Sequence, residues 1–201
     1  MVKRIRRADV ADAEAVRAIY APFITDSATS FEAVVPDLAE MQRRLQAGGD
    51  QYPWLVFERD RTVLGYAYAS MHRARKAYQW SAEVSVYIHS DAHRCGVGRA
   101  LYTALFDLLR RQRFVNAFAG VTLPNASSVG LHESFGFVPV GVFKQIGFKF
   151  GQWHDVGWWH LRLREDPQPQ SDPLPFVDLL QAADVTRLFD ECARPARLGS
   201  D

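Results

Sequence analysis

Cysteine is scarce in this chain of 201 residues: Cys95 and Cys192 are the whole supply, too few for a disulfide framework. No His, Cys or Asp spacing matches a zinc site, so no metal ion is expected. Charge of one sign is equally scarce, since 24 Lys and Arg against 23 Asp and Glu leave a formal net charge of +1. Broad nucleic-acid or membrane-surface binding draws on a clear basic excess; neither is expected, and any bound phosphate must be met locally. No apolar run reaches the length of a bilayer span, and the basic start Lys3-Arg4-Ile5-Arg6-Arg7 has no apolar stretch behind it to form a signal peptide. A reducing, cytoplasmic setting is the expectation. Also missing are Gly-x-Gly-x-x-Gly and any Lys-Ser or Lys-Thr after a glycine-rich loop, which excludes a Rossmann fingerprint and a Walker phosphate loop.

Enough apolar sequence is present, at 48% hydrophobic against 23% charged, to bury a sizeable core. Ile5 to Arg7 reads as a first strand, and Asp9 and Asp12 offer caps for a helix through Tyr20 that Pro22 closes. A second helix is expected from Pro36 to Ala47, stopped by Gly48-Gly49. Two β-rich runs, 54–58 and 62–68, flank the turn Arg59-Asp60-Arg61 as a hairpin. Glu83 to Ile88 is a further strand, and Val97 to Arg111 an amphipathic helix whose basic end suits a helix C-terminus. Strand 114–123, a short helix 126–135 and closing strands 137–143 and 153–163 complete an α/β (α+β) order around one sheet. The Pro-rich polar stretch 166–173 reads as a linker. Beyond it, Phe176, Leu179, Leu180, Leu188, Phe189 and Cys192 recur at spacings that one helix places on one side, so 174–201 is expected to be a helical appendage docked away from the reacting centre.

The segment richest in chemistry runs from the strand at Val84 through His93-Arg94-Cys95-Gly96-Val97-Gly98-Arg99 into a helix. Glycines let backbone approach a ligand, and successive N–H groups at a helix start form a seat for pyrophosphate. The loop resembles the Arg/Gln-x-x-Gly-x-Gly/Ala coenzyme A loop of GNAT N-acetyltransferases. Ser81 to Tyr87, Leu123-Pro124-Asn125, Leu131-His132-Glu133, Gly136-Phe137 and Gly147 to Gly157 are similar to the phosphinothricin and methionine sulfoximine acetyltransferases within that superfamily. The likeness covers residues 1–165. His93 departs from the pattern, standing where Arg or Gln is usual.

The resemblance implies the GNAT fold, a mixed, mostly antiparallel twisted sheet flanked by helices, with acetyl-CoA as co-substrate. It implies that the backbone of Val86, Tyr87 and Ile88 lines the pantetheine arm. Arg94, Cys95, Gly96, Val97, Gly98 and Arg99 would wrap the pyrophosphate, and Asn125 and Ser134 would complete that site. Asn125 reads equally as a helix N-cap. Glu83 is the candidate general base, taking the ammonium proton directly or through water. His132 is given a supporting proton-relay role, and Tyr87 reads either as a donor to the thioester or as a packing residue. Arg73, Arg75 and Tyr78 suit an acceptor bearing a carboxylate plus a phosphinate or sulfoximine, with Phe31 as an apolar wall. Cys95, at a helix start, is a candidate reactive thiol but not a catalytic one, since transfer to the amine is direct in this family. The expected enzyme acetylates a small amino-acid-like amine, and its relatives make a homodimer the expectation. A protein or peptide acetyltransferase and a non-catalytic acetyl-CoA-binding module stand as alternatives.

Overall fold

A computed structural model describes residues 2–165 and 171–198. Most of the expected linker, at 166–170, and the chain beyond 198 lie outside the described residues. Among the described residues the strands and α-helices follow in order: β1 (Lys3–Arg7), α1 (Ala13–Thr25), α2 (Leu38–Gly48), β2 (Trp54–Arg59), β3 (Thr62–Met71), β4 (Ser81–Ile88), α3 (Val97–Arg111), β5 (Asn116–Leu123), α4 (Ala126–Glu133), β6 (Val138–Lys149), β7 (Gln152–Arg162), α5 (Phe176–Leu179) and α6 (Ala183–Ala193).

The strands form one seven-stranded sheet in the order β1-β2-β3-β4-β5-β7-β6. Every neighbouring pair is antiparallel except β4 and β5. That parallel seam is short, pairing Ser81–Glu83 with Asn116–Phe118, after which the two strands part. Alternation along β4 sends its side chains to two cores. Ala82, Val84, Val86 and Ile88 pack on the side of α3, while Tyr87 joins α1 and α2 on the other. α3 buries Leu101, Leu105, Leu108 and Leu109 completely, as its apolar stripe requires.

Element boundaries moved where local rules were overridden. Pro22 does not close α1; it lies inside the helix, which ends when Asp26 N–H bonds Pro22 O at 3.0 Å. One missing N–H inside the helix is tolerated because Ile19, Tyr20 and Ile24 stay buried. α2 begins two residues after Pro36, because Asp37 accepts from Glu40 N–H and so takes the N-cap. Strand β6 runs past Phe143 to Lys149, absorbing a register shift between Phe143 and Gly147. The terminal apolar stripe belongs to two helices rather than one. Phe176 is fully buried in α5, and Val185, Phe189 and Cys192 carry α6 into the main core beside β1 and α3. An Arg111–Asp184 ion pair ties α6 to α3 at the surface.

Candidate active site

The parting of β4 and β5 opens a gap in the sheet. Beyond Glu83, the edge of β4 that faces β5 has no strand partner, so it offers backbone groups to a ligand rather than to a ladder. A narrow cleft of about 60 Å³ lies there, lined by Ser85, Val86, Tyr87, Gly120, Asn125 and His132 among others. Ile88 continues the same strand, and its carbonyl is taken by His93 Nε2–H at 3.0 Å. His93, the departure from the loop pattern, thus ties the loop's start to the end of β4. At the loop, Gly96 adopts φ +84° and serves as N-cap of α3, a left-handed conformation that favours glycine. The helix's first backbone bond is Ala100 N–H to Gly96 O at 2.9 Å, which leaves the amides of 96–99 outside its ladder.

A Cβ on Gly98 would stand 3.4 Å from Leu131 and 3.8 Å from Ile88. A Cβ there would thus be in ordinary van der Waals contact with α4 and β4. Arg99 donates to Ser134 Oγ at 2.9 Å and lies over the Phe135 ring, bringing two residues assigned to the coenzyme together. Asn125 is a helix N-cap, its Oδ1 accepting from Ser128 N–H at 3.0 Å, and it also lines the cleft. The Cys95 thiol donates to His93 O at 3.3 Å. Free amides, a glycine-capped helix start and the guanidinium of Arg99 suit a pyrophosphate in kind.

Glu83 sits at the last pair of the seam, opposite Phe118 on β5 and Ser70 on β3. Its carboxylate is 35% exposed and accepts from His72 Nδ1–H at 3.0 Å. His72 in turn stacks on Phe118, ring centroids 4.5 Å apart. His72 was not found from the sequence; the signal available was only its position at the end of a strand opposite the one carrying Glu83.

His132 is 4% exposed. Its Nδ1–H donates to Ser128 O at 2.7 Å, so Nε2 is left to accept from Tyr102 OH at 3.0 Å. Burial keeps its pKa below the ordinary value, only partly opposed by the Ser128 carbonyl. A neutral, enclosed imidazole holds Tyr102, which also lines the cleft. Tyr87 packs its ring against Tyr20, Phe23 and Tyr66, and burial drives its pKa well up. Its side chain is a packing residue, while its backbone borders the gap.

Arg73, Arg75 and Tyr78 are exposed on the turn between β3 and β4, with Tyr78 edge-on to His72 at 6.1 Å. Phe31 lies over Gly147 so closely that a Cβ there would fall 2.1 Å from the ring. Lys149 fastens the loop bearing Phe31, donating to Ile24 O at 2.7 Å, Ser27 O at 3.2 Å and Ser30 O at 2.7 Å. A larger cavity of about 460 Å³ opens on the α1 and α2 side, its lining including Glu32, Arg44, Trp54, Tyr66 and Tyr68. Ser70 and Met71 on its rim pair with Glu83 and Ala82, so it reaches the neighbourhood of Glu83. Among the described residues no group of three or more His, Cys, Asp or Glu is placed to hold a metal, and no helix is long and apolar enough to cross a membrane.

Residues 5–158 match the acetyltransferase (GNAT) domain. The chain belongs to the GNAT acetyltransferase family. It is 39% identical over 167 residues to a phosphinothricin N-acetyltransferase of Streptomyces viridochromogenes, covering 82% of this chain and 91% of that protein. Likewise it is 34% identical over 171 residues to an L-methionine sulfoximine/L-methionine sulfone acetyltransferase of Salmonella typhimurium, covering 83% and 98%. Among solved structures, a GNAT superfamily phosphinothricin acetyltransferase from Sinorhizobium meliloti in complex with AcCoA superposes with a TM-score of 0.79 at 32% identity, covering 87% of this chain and 94% of that one. A GNAT fold was the expectation from the loop and the ordered motifs, and the seven-stranded mixed sheet agrees with it.

Proposed function

We propose that this GNAT enzyme transfers acetyl from acetyl-CoA to the amine of a small amino-acid-like acceptor of the phosphinothricin or methionine sulfoximine kind. The observation that carries the reading is Glu83, a half-buried carboxylate held by His72 at the point where the sheet opens. Relatives named for those acceptors, at 39% and 34% identity, support the substrate class.

Acetyl-CoA supplies the thioester when bound. The open edge of β4 along Val86, Tyr87 and Ile88 receives its pantetheine arm, and the amides of 96–99 with Arg94 and Arg99 hold its pyrophosphate. Glu83 accepts the proton of the acceptor's ammonium, directly or through one water, and the freed amine attacks within a single ternary complex. His72 fixes the carboxylate's direction. His132 keeps the Tyr102 hydroxyl oriented at the cleft wall, and its part in proton movement runs through that hydroxyl. Arg73 and Arg75 meet the acceptor's anionic groups, with Tyr78 and Phe31 as walls.

A second copy of the chain is the proposed occupant of the apolar edge made by Val138, Val140, Ile146, Phe148, Phe150 and Trp153, each more than half exposed. Sedimentation velocity that finds only monomer at micromolar concentration would sink that assignment. A cytoplasmic enzyme fits the two free thiols. The decisive experiment is thiol release from acetyl-CoA across phosphinothricin, methionine sulfoximine, methionine sulfone and a panel of free amino acids. Turnover of a methionine- or glutamate-like member is expected; turnover only with peptides, or with nothing, overturns the reading.

A further inference from the structure

The last described residues of the chain return to the loop ahead of α3. Arg197 N–H donates to Cys95 O at 2.7 Å. Ala196 Cα lies 3.5 Å from where a Cβ on Gly96 would stand, and Lys3 Nζ of β1 donates to Ala196 O at 3.0 Å. Ala196 and Leu198 are each 2% exposed, so this turn is seated in the main core and does not lie loosely on the surface. The appendage is docked on its own domain, and this end of it meets the loop ahead of α3.

The contact has a directional consequence. A peptide group is planar and trans, so the Cys95 carbonyl and the Gly96 N–H point opposite ways. Holding that carbonyl against Arg197 turns the Gly96 N–H away from the extension. The same peptide precedes the left-handed Gly96 from which α3 starts, so the hold also sets where the free amides of 96–99 face. α6 supplies the rigidity behind it, through Val185, Phe189 and Cys192 in the core and Asp184 on Arg111.

At its other end the extension touches a different loop. Ser171 O accepts from Trp80 Nε1–H at 3.0 Å and Asp172 from Gln79 Nε2–H at 2.9 Å, beside the turn carrying Arg75 and Tyr78. The GNAT match ends at residue 158, so all of these contacts come from chain outside it.

We infer that residues 195–198 are a working part of the coenzyme site, with the Arg197 main-chain N–H bracing the Cys95–Gly96 peptide so that the loop meets a pyrophosphate preformed. This rests on the coenzyme assignment of the loop made above. Preorganisation of this kind appears in affinity, not in the chemical step.

The test compares the full chain with Arg197→Pro, which removes the N–H, with Arg197→Ala, which keeps it, and with a chain ending after Arg194. The shortened chain retains α5, α6 and the contacts at Ser171 and Asp172. Calorimetry with acetyl-CoA is expected to show Kd raised about 10-fold in the Pro and shortened forms, with KM for acetyl-CoA rising alike. Their kcat at saturating acetyl-CoA and their KM for the acceptor stay within about two-fold of the full chain, and Arg197→Ala binds as the full chain does. Should the Pro or the shortened form fail to fold, the other carries the comparison. Unchanged affinity in a folded Pro or shortened form overturns the brace, as does an equal loss in Arg197→Ala, which would put the effect in the side chain. Failure of the underlying reading looks different, because then the full chain itself binds no acetyl-CoA.

Discussion

Glu83 and His72 form a pair of which the sequence exposes only one member. Glu83 stands out because it opens an apolar strand inside a recognisable motif. His72 is silent, since its partner becomes visible only when β3 and β4 are laid in register. His132, named early for its chemistry, is enclosed and accepts from Tyr102 OH at the cleft, a tie that likewise shows only in the fold. Glu83→Gln is expected to lower kcat about 10²-fold or more while leaving the Kd for acetyl-CoA unchanged, the scale on which a general base contributes. A kcat that does not move removes Glu83 from the reaction. His72→Phe keeps the ring on Phe118 but deletes the bond to the carboxylate. A hydrogen bond to a charged group is worth about 1.5–3 kcal/mol, so kcat should fall about 10-fold or somewhat more, with acceptor KM and melting temperature little changed. Equal loss of kcat and stability would make His72 a packing residue only.

At the scale of elements, capping and periodicity located every helix of the main fold, and α3 was placed most closely because its leucine stripe and glycine start agree. What escaped were tertiary ties: Pro22 kept inside α1, and the loop after α1 pinned by Lys149 from 119 residues away at Ser30. Another such tie joins β1 to the turn before α1. Arg6 donates to both carboxylate oxygens of Asp12 at 2.7 Å and to Glu58 at 2.7 Å. Burial pushes both acids up, but the arginines outweigh it, holding Asp12 below its ordinary 3.8 and Glu58, which Arg4 also pairs, below 4.5. With folded values depressed, the unfolded chain binds protons first as pH falls. The stabilisation is complete above about pH 5 and drains away on acidification through 4.5 and below. Asp12→Asn should lose roughly 4–8 °C of melting temperature at pH 7 and show a shallower further loss between pH 5 and 3. Curves that run parallel to the parent's across that range would show that the pair adds nothing pH-dependent.

For the whole molecule, the terminal helices are part of the core and not an ornament to it. Ending the chain after Arg164 strips cover from the surface that Phe176, Val185, Phe189 and Leu198 now bury, and should lower the melting temperature by about 10 °C or more. An unchanged transition would mean that those side chains are as well off in water. The brevity of the β4–β5 seam has a further consequence, for cooperativity. Three register pairs are all the strand pairing that joins β1 to β4 with β5 to β7, so the two blocks can open as separate units in hydrogen exchange. A ligand stretched along the gap would couple them. In the free protein the alternate amides of 84–88 that face the gap should exchange fast; on adding acetyl-CoA they should slow, and the amides of β5 and β7 should slow with them although they lie across the divide. Protection confined to β4 and the start of α3 would mean that the blocks were already one unit, with the missing ladder made good by the helices packed across it.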